Sequence, residues 1–303
     1  MNHNTQTRTL TIFAPAKVNL YLHVTGRLDN GYHTLDSLIS FADIGDVVEI
    51  EPSQDFQFEI DGPFASQFGP KERDSSPHSS NLVVRAAWAL AQVAQKAPNV
   101  RARLTKNLPL GAGLGGGSGD AAALIWGLMD LWGISRQAHY LPGLMARLGA
   151  DVPVCLPCRS ARVRGIGDVL DPVPDIPEIP IVLVHPGKFC PTPDVFTLFA
   201  GTFKEPQSFP PAFAGFDDFT AFLEQRANDL LSPACEIVPE IPNVLHALEA
   251  QSGCALARMS GSGSACFGLF EDEGDAHKAV QAITEENPDW WAKAGWLARP
   301  HRY

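Results

Sequence analysis

Cysteine is sparse, cations are outnumbered and no apolar run is long. Six cysteines in 303 residues are too few to staple a chain of this length, which excludes a disulfide scaffold. Cys155, Cys254 and Cys266 sit in apolar sequence and read as reduced core residues. Cys155 and Cys158 form a C-x-x-C around Pro157, but no second pair or histidine pair completes a zinc site. Lys and Arg number 23 against 34 Asp and Glu, a net charge of −11. That balance repels nucleic acid and anionic membranes, so the expected partner is a small molecule, and an anionic one must meet a local positive site. No apolar run reaches membrane-spanning length, and the opening MNHNTQTRTL has neither the apolar core nor the basic flank of an export signal. The expected compartment is the cytoplasm. With no repeat period or heptad run, solenoids and coiled coils drop out. What remains is a globular chain, 45% hydrophobic and 19% charged, long enough for two domains and expected as a monomer or weak homodimer.

Residues 12 to 24 alternate as a strand: Ile12, Ala14, Ala16, Val18, Leu20, Leu22 and Val24 share one face, and Lys17, Asn19, Tyr21 and His23 the other. Gly26 to Gly31 is turn chemistry that delivers Tyr32 and His33. A short strand at 47 to 50, an exposed loop at 61 to 80, a helix from Asn81 to Ala94 and a strand from Arg101 to Thr105 follow. The almost wholly apolar 118 to 131 reads as a buried helix, with another at 138 to 148. Composition shifts near residue 173, where DPVPDIPEIP resembles a linker. Beyond it come a strand (181 to 184), helices (217 to 230 and 236 to 250), strands (255 to 259 and 266 to 270), a helix (275 to 285) and a strand (295 to 298). Two strand-helix-strand halves suggest a ferredoxin-like domain. The expectation is an α+β chain with domains at 1–173 and 174–303.

Leu108 to Leu124, LPLGAGLGGGSGDAAAL, packs five glycines and a serine into Gly111 to Ser118, directly ahead of an alanine-rich helix. Glycine lets backbone N–H groups turn inward, and a helix N-terminus adds unpaired donors and a positive dipole end, so the segment reads as a phosphate cradle. A flexible loop ahead of a buried helix is the plainer alternative. Gly111, Gly113 and Gly116 form a G-x-G-x-x-G, but Asn107, Leu108 and Pro109 precede the glycines, and the next acids, Asp120 and Asp130, fall in the following helix. A dinucleotide fingerprint needs the glycines in the first strand-to-helix turn and an acid ending the next strand. No G-K-[ST] makes it a Walker A loop. Ser260 to Ser264, SGSGS, is a second small-residue loop, either held open for a ligand or merely loose. Phosphoryl transfer to a hydroxyl also needs a cation and a base or orienting group. Lys17 can supply the first, or lie on a solvated face. Asp151, in LGADVP, can supply the second from a helix-to-strand junction, since Pro153 biases Val152 toward extended backbone; it can equally be an ordinary surface acid.

PAKVNLYLHVTGRLDNGYHTL, LPLGAGLGGGSGDAAAL, LGADVPVCL, HPGKFCPTPDVF and MSGSGSACFGLF, in that order over nearly the whole chain, resemble the successive motifs of the GHMP small-molecule kinases. The resemblance implies a two-domain α+β fold, an N-terminal domain like ribosomal protein S5 domain 2 and a ferredoxin-like C-terminal domain. It implies ATP and Mg2+ as cofactors and a small-molecule acceptor, a cytidine diphosphate-linked methylerythritol phosphorylated on its 2-hydroxyl. Lys17 and Asp151 fall in the catalytic places. Asn81, Lys106, Pro109, Gly111, Ala112, Gly113, Leu114, Gly115, Gly116, Gly117 and Ser118 fall in the ATP site. Asn19, Tyr32, His33, Thr192, Pro193 and Phe196 fall in the acceptor site, with Tyr32 and Phe196 sandwiching the cytosine and His33 reading its edge. Family members often carry two adjacent serines after the glycines; here the second is Gly119, so the metal's protein ligands are left unassigned. Asp120 can approach a metal or simply partner the helix dipole. Asp168, where related sequences usually carry glutamate, has no evident functional meaning.

Overall fold

The computed structural model describes residues 9–299; the first eight residues of the opening segment read above lie outside that range. Strand β1 (Leu10–Arg27) pairs antiparallel with β2 (His33–Pro52) over nearly its full length. Register shifts at Pro15/Ala16, Asn19/Tyr21 and Val24/Gly26 bend β1, as one-residue bulges do. The expected polar face of β1 is not solvated: Lys17, Asn19, Tyr21 and His23 are each at most 5% exposed. Only residues 47 to 50 of β2 are legible as a strand, because its middle is buried on both faces and so lacks alternation.

β3 (Gln57–Asp61) runs parallel to β4 (Val100–Thr105), which pairs antiparallel with β2. The expected loop at 61 to 80 holds a single 3-10 turn, Ala65–Gln67, and a one-turn helix α1 (Pro70–Arg73). Helix α2 (Leu82–Ala94) starts where Asn81 Oδ1 accepts the Val83 N–H at 2.9 Å, a side-chain N-cap. Helix α3 (Gly116–Trp132) ends at Gly133, whose left-handed φ of 65° closes it. Together α2 and α3 bury Leu90, Leu124 and Leu128 against Ile12, Val48, Ile50 and Leu104 of the sheet. Then come α4 (Leu141–Leu148), α5 (Val152–Cys155) and the hairpin of β5 (Ala161–Gly165) with β6 (Val169–Pro172), whose β5 pairs with β2 at residues 35 to 39. These two strands escape a sequence reading because they are short and charged.

The second half contains β7 (Ile179–His185), α6 (Thr192–Leu198), α7 (Phe216–Glu224), α8 (Leu231–Ile237), α9 (Ile241–Glu249), β8 (Cys254–Met259), β9 (Cys266–Phe270), α10 (Glu273–Glu286) and β10 (Trp291–Leu297). Their order across the sheet is β10-β7-β9-β8, every neighbouring pair antiparallel, which is the ferredoxin-like arrangement. Within the sheet this layer joins the first where Leu297 pairs with Ala42. Two helices are shorter than their sequence suggests. The one expected through residue 230 stops at Glu224, because Ala227 and Asp229 turn to bond the backbone of Leu22. The one expected from 236 to 250 divides at Val238, which Pro239 holds out of the helical region at φ −126°, ψ 86°.

Candidate active site

The loop between β4 and α3 and the loop between β8 and β9 pack directly on each other. Lys17 N–H donates to the Leu114 carbonyl at 2.8 Å, Ala265 N–H to Ala112 at 3.0 Å, and Ser260 Oγ to Gly113 at 3.1 Å. A Cβ on Gly113 would lie 2.4 Å from the Ser260 carbonyl oxygen, so this glycine exists for close approach of backbone. The SGSGS loop is therefore a buttress, with Ser260 and Ser264 fully buried, rather than a loose turn. Gly115 serves a second protein contact: its φ is +64°, and a Cβ there would meet Lys17 Cβ at 2.9 Å. Gly117 differs, since nothing lies within 4 Å of a Cβ built on it. The first α3 backbone bond is Gly119 N–H to Gly115 at 2.8 Å. The N–H groups of Gly116, Gly117 and Ser118 thus precede the helical ladder, free of intrahelical partners and at the positive dipole end. An anion fits here.

Lys17 is pinned beneath this loop. Its ammonium donates to Asn19 Oδ1 at 2.9 Å and to Asp151 Oδ2 at 3.1 Å. The Lys17 side chain is 6% exposed and that of Asp151 43%, so a buried cation holds a carboxylate that still faces the cavity. Asn19 is fixed in turn: its Nδ2 donates to Ser37 Oγ at 2.8 Å and its N–H to Ser260 Oγ at 3.1 Å. Asp151 does not stand at a helix-to-strand junction. It precedes α5, with Val152 helical and Pro153 in the first turn, where proline's missing N–H needs no partner.

Lys106 is not a free cation. It is 2% exposed and ion-paired with both Asp46 and Asp120, the latter at 2.8 Å. Burial alone would lower its pKa, but the two carboxylates overcome that and raise it. Burial and the Asp46 charge push the Asp120 carboxyl well above the usual range. Asp46 also accepts the N–H groups of Asn107 at 2.6 Å and Leu108 at 2.8 Å, tying the start of the loop to β2. Of this scaffold's polar residues Ser37 and Asp46 escape a sequence reading, while Ser260 is legible only as part of a small-residue loop and not as a partner of Asn19 and Gly113. The only signal of the first two is a polar residue in an otherwise apolar strand.

At the other end, His33 stacks on Phe196 with centroids 5.4 Å apart and planes at 21°, and meets Phe199 edge-on at 5.7 Å. Burial and the charge of Arg27 lower the His33 pKa, which keeps the imidazole neutral near pH 7 with one donor and one acceptor. Tyr32 is 62% exposed, standing clear of that stack. Thr192 Oγ1 and Ser262 Oγ share a hydrogen bond at 2.7 Å. Every residue that the sequence nominated lines one cavity of about 950 Å3: Lys17, Asn19, Tyr32, His33, Asn81, Lys106, Pro109, Gly111 to Ser118, Asp151, Thr192, Pro193 and Phe196. The volume lies at the upper end of the range for small-molecule sites. Among the described residues no three His, Cys, Asp or Glu side chains gather as a metal cluster, and no helix is long and apolar enough to cross a membrane. Cys155 is buried, and burial pushes its thiol well up.

Comparison with known proteins agrees with this geometry. Residues 81–158 match the family model for the GHMP kinases N terminal domain and residues 219–289 that for GHMP kinases C terminal. A 4-diphosphocytidyl-2-C-methyl-D-erythritol kinase of Paramagnetospirillum magneticum is 44% identical over 93% of this chain and 96% of its own. One of Cereibacter sphaeroides is 44% identical over 92% and 96%. A crystal structure of 4-(cytidine 5'-diphospho)-2C-methyl-D-erythritol kinase superposes with a TM-score of 0.76 at 35% identity, covering 96% of this chain and all of that one. Homoserine kinase from Cytophaga hutchinsonii, at 18% identity and a TM-score of 0.69 over 98% of this chain and 96% of its own, shares the fold. The chain is a small-molecule kinase of two-domain α+β architecture, and it belongs to the GHMP kinase family.

Proposed function

We infer that this kinase transfers the γ-phosphoryl group of ATP to the 2-hydroxyl of 4-diphosphocytidyl-2-C-methyl-D-erythritol, a step of the non-mevalonate isoprenoid pathway. The observation that carries the reading is the buried Lys17 ammonium joining Asn19 to Asp151 in the cavity that also holds the His33–Phe196 stack. Names of relatives that cover nearly the whole chain support the acceptor. In this reading residues 1–173 carry the ATP site and 174–303 bring Thr192, Pro193 and Phe196 to the acceptor. The N–H groups opening α3 hold the triphosphate, and Asp151 faces the acceptor hydroxyl. The hydroxyl oxygen bonds to the γ-phosphorus, the bond from that phosphorus to the bridging oxygen breaks, ADP leaves, and Asp151 receives the proton. Lys17 keeps Asp151 placed and balances charge on the moving group. Cytosine slides between Tyr32 and Phe196, and the neutral His33 meets its polar edge.

Mg2+ belongs to this reading as a companion of the triphosphate, whose charge it offsets when bound. The donor set fits that role: the Ser118 hydroxyl in the first turn of α3 and the half-exposed Asp151 are the available oxygens, while Asp120 is committed to Lys106. Mg2+ commonly takes one or two protein oxygens beside phosphates and waters. The protein acts on small molecules; residence in the cytoplasm and a monomeric or weakly dimeric state complete the proposal. Asp151→Asn tests it: turnover should fall about a hundredfold or more, the scale for a positioned base, with ATP affinity nearly unchanged. Near-normal turnover in that variant would remove Asp151 from the reaction.

A further inference from the structure

Phe189 is the most exposed large apolar side chain among the described residues, at 64%. It lines the cavity that holds Lys17 and Asp151. Its ring lies on the phosphate loop itself: a Cβ on Gly111 would fall 2.0 Å from Phe189 Cδ2 and 2.1 Å from Cε2. The first loop glycine is thus spent on seating this ring, not on approaching a ligand. The backbone around the ring is fastened on both sides. Cys190 N–H donates to the Gly111 carbonyl at 3.5 Å, Cys190 Sγ to the Ser262 carbonyl at 3.2 Å, and Ser264 Oγ to the Lys188 carbonyl. With Lys188 and Cys190 tied to the two glycine loops, the ring rests on Gly111 and lines the cavity.

A single exposed phenylalanine is ordinary on a surface, but one seated on the phosphate loop in a phosphoryl-transfer cavity has a chemical consequence. Water competes with the acceptor for the γ-phosphorus: its oxygen bonds to that phosphorus, the bond to the bridging oxygen breaks, and ADP and inorganic phosphate leave, the proton passing to solvent. Excluding water suppresses this side reaction and strengthens the charge interactions that remain. We propose that Phe189 is a shielding residue, an apolar wall covered by ATP and the acceptor when both are bound, which keeps ATP consumption coupled to transfer. This deepens the reading above and rests on it for the identity of the acceptor.

The test measures ADP and phosphorylated acceptor together for the wild type, Phe189→Ala and Phe189→Leu, with ATP alone and with ATP plus the diphosphocytidyl acceptor. Coupling is near one ADP per product in the wild type and in Phe189→Leu, which keeps an apolar wall. In Phe189→Ala, ADP exceeds product, and acceptor-free hydrolysis rises about tenfold, the equivalent of ~1.4 kcal/mol of barrier. Phe189→Gln, polar and of similar volume, repeats the test should alanine loosen the fold. Unchanged coupling and hydrolysis in the disrupting variants overturns the proposal. So does a higher KM for ATP with coupling intact, which makes the ring a nucleotide contact only. A wild type that phosphorylates no diphosphocytidyl acceptor sinks the acceptor assignment instead, and the ATP-only arm still decides Phe189.

Discussion

Gly115 and Gly117 stand two residues apart in one loop, yet alanine should break the protein in opposite ways at the two positions. At Gly115 the φ of +64° is the left-handed region, and the new methyl group would sit 2.9 Å from Lys17 Cβ and 3.1 Å from Lys17 Cε. The conformational penalty alone is about 1–2 kcal/mol, and the contact adds to it by pushing on the side chain that holds Asp151. The expected result is a melting temperature several degrees lower, at roughly 2–4 °C per kcal/mol for a domain of this order of size, together with a steep fall in kcat. At Gly117 the backbone is helical and a Cβ meets nothing within 4 Å. Alanine there should hold stability or raise it by up to about 1 kcal/mol, since it is the better helix former. The methyl group, however, projects where the account places the triphosphate, so KM for ATP should rise roughly tenfold, a loss near 1.4 kcal/mol. Thermal unfolding and steady-state kinetics on both variants, with ATP titrated at saturating acceptor, read the contrast. If Gly117→Ala leaves KM for ATP unchanged while Gly115→Ala alone raises it, the phosphates do not lie over the first turn of α3.

Asp46→Ala should destabilise the chain by ~3–5 kcal/mol in denaturant unfolding, because it strips one carboxylate from the buried Lys106 and leaves two backbone N–H groups unpaired; a change under about 1 kcal/mol would mean the cluster does not hold the loop. Burial depresses His185 to a pKa of about 4. Between the ordinary histidine value near 6.5 and that value the unfolded chain binds a proton that the folded one refuses, so stability is full above the unfolded pKa and is lost as pH falls through the folded one, by about 3 kcal/mol. His185→Gln should flatten that slope in unfolding experiments from pH 7 to 4, and an equal slope in both proteins would contradict it. Phe196→Ala should raise the acceptor KM about tenfold and leave that for ATP alone, since stacking on a base is worth roughly 1–3 kcal/mol; a shift in ATP KM instead would put the nucleotide at the wrong end of the cavity.

Much of the site was legible because its chemistry sits in contiguous motifs. The glycine loop is marked by its composition, whereas the strand bearing Lys17 and Asn19 and the turn that delivers Tyr32 and His33 are marked as site residues only by the ordered motifs that resemble the GHMP kinases; all three converge on one cavity. What each glycine is for was not legible. Composition suggests five that open backbone to a phosphate, whereas Gly113 makes room for Ser260, Gly115 for Lys17 and Gly111 for Phe189, contacts between residues far apart in the chain. Lys17 illustrates the same limit: alternation in β1 implies a wet face, but a second layer covers it, leaving Lys17 5% exposed. Lys106 has the residue type of a ligand-binding cation and is instead consumed by Asp46 and Asp120. Asp168 acquires a local meaning, accepting the Ile166 N–H at 3.0 Å in the β5–β6 turn. Strands such as β2 and β5 were hidden for a simpler reason, since burial on both faces or mere brevity erases the period-two pattern.

The reaction assigned to this kinase has a product that can be observed directly. Purified protein incubated with ATP, Mg2+ and 4-diphosphocytidyl-2-C-methyl-D-erythritol should yield ADP and an acceptor heavier by one phosphoryl group, with phosphorus NMR showing a new monoester and an unaltered diphosphate bridge. Methylerythritol without the cytidine diphosphate, and homoserine or mevalonate in its place, should leave ATP untouched on the same timescale. A monoester formed equally well on a cytidine-free alcohol, or no monoester at all with the diphosphocytidyl substrate, would contradict the account.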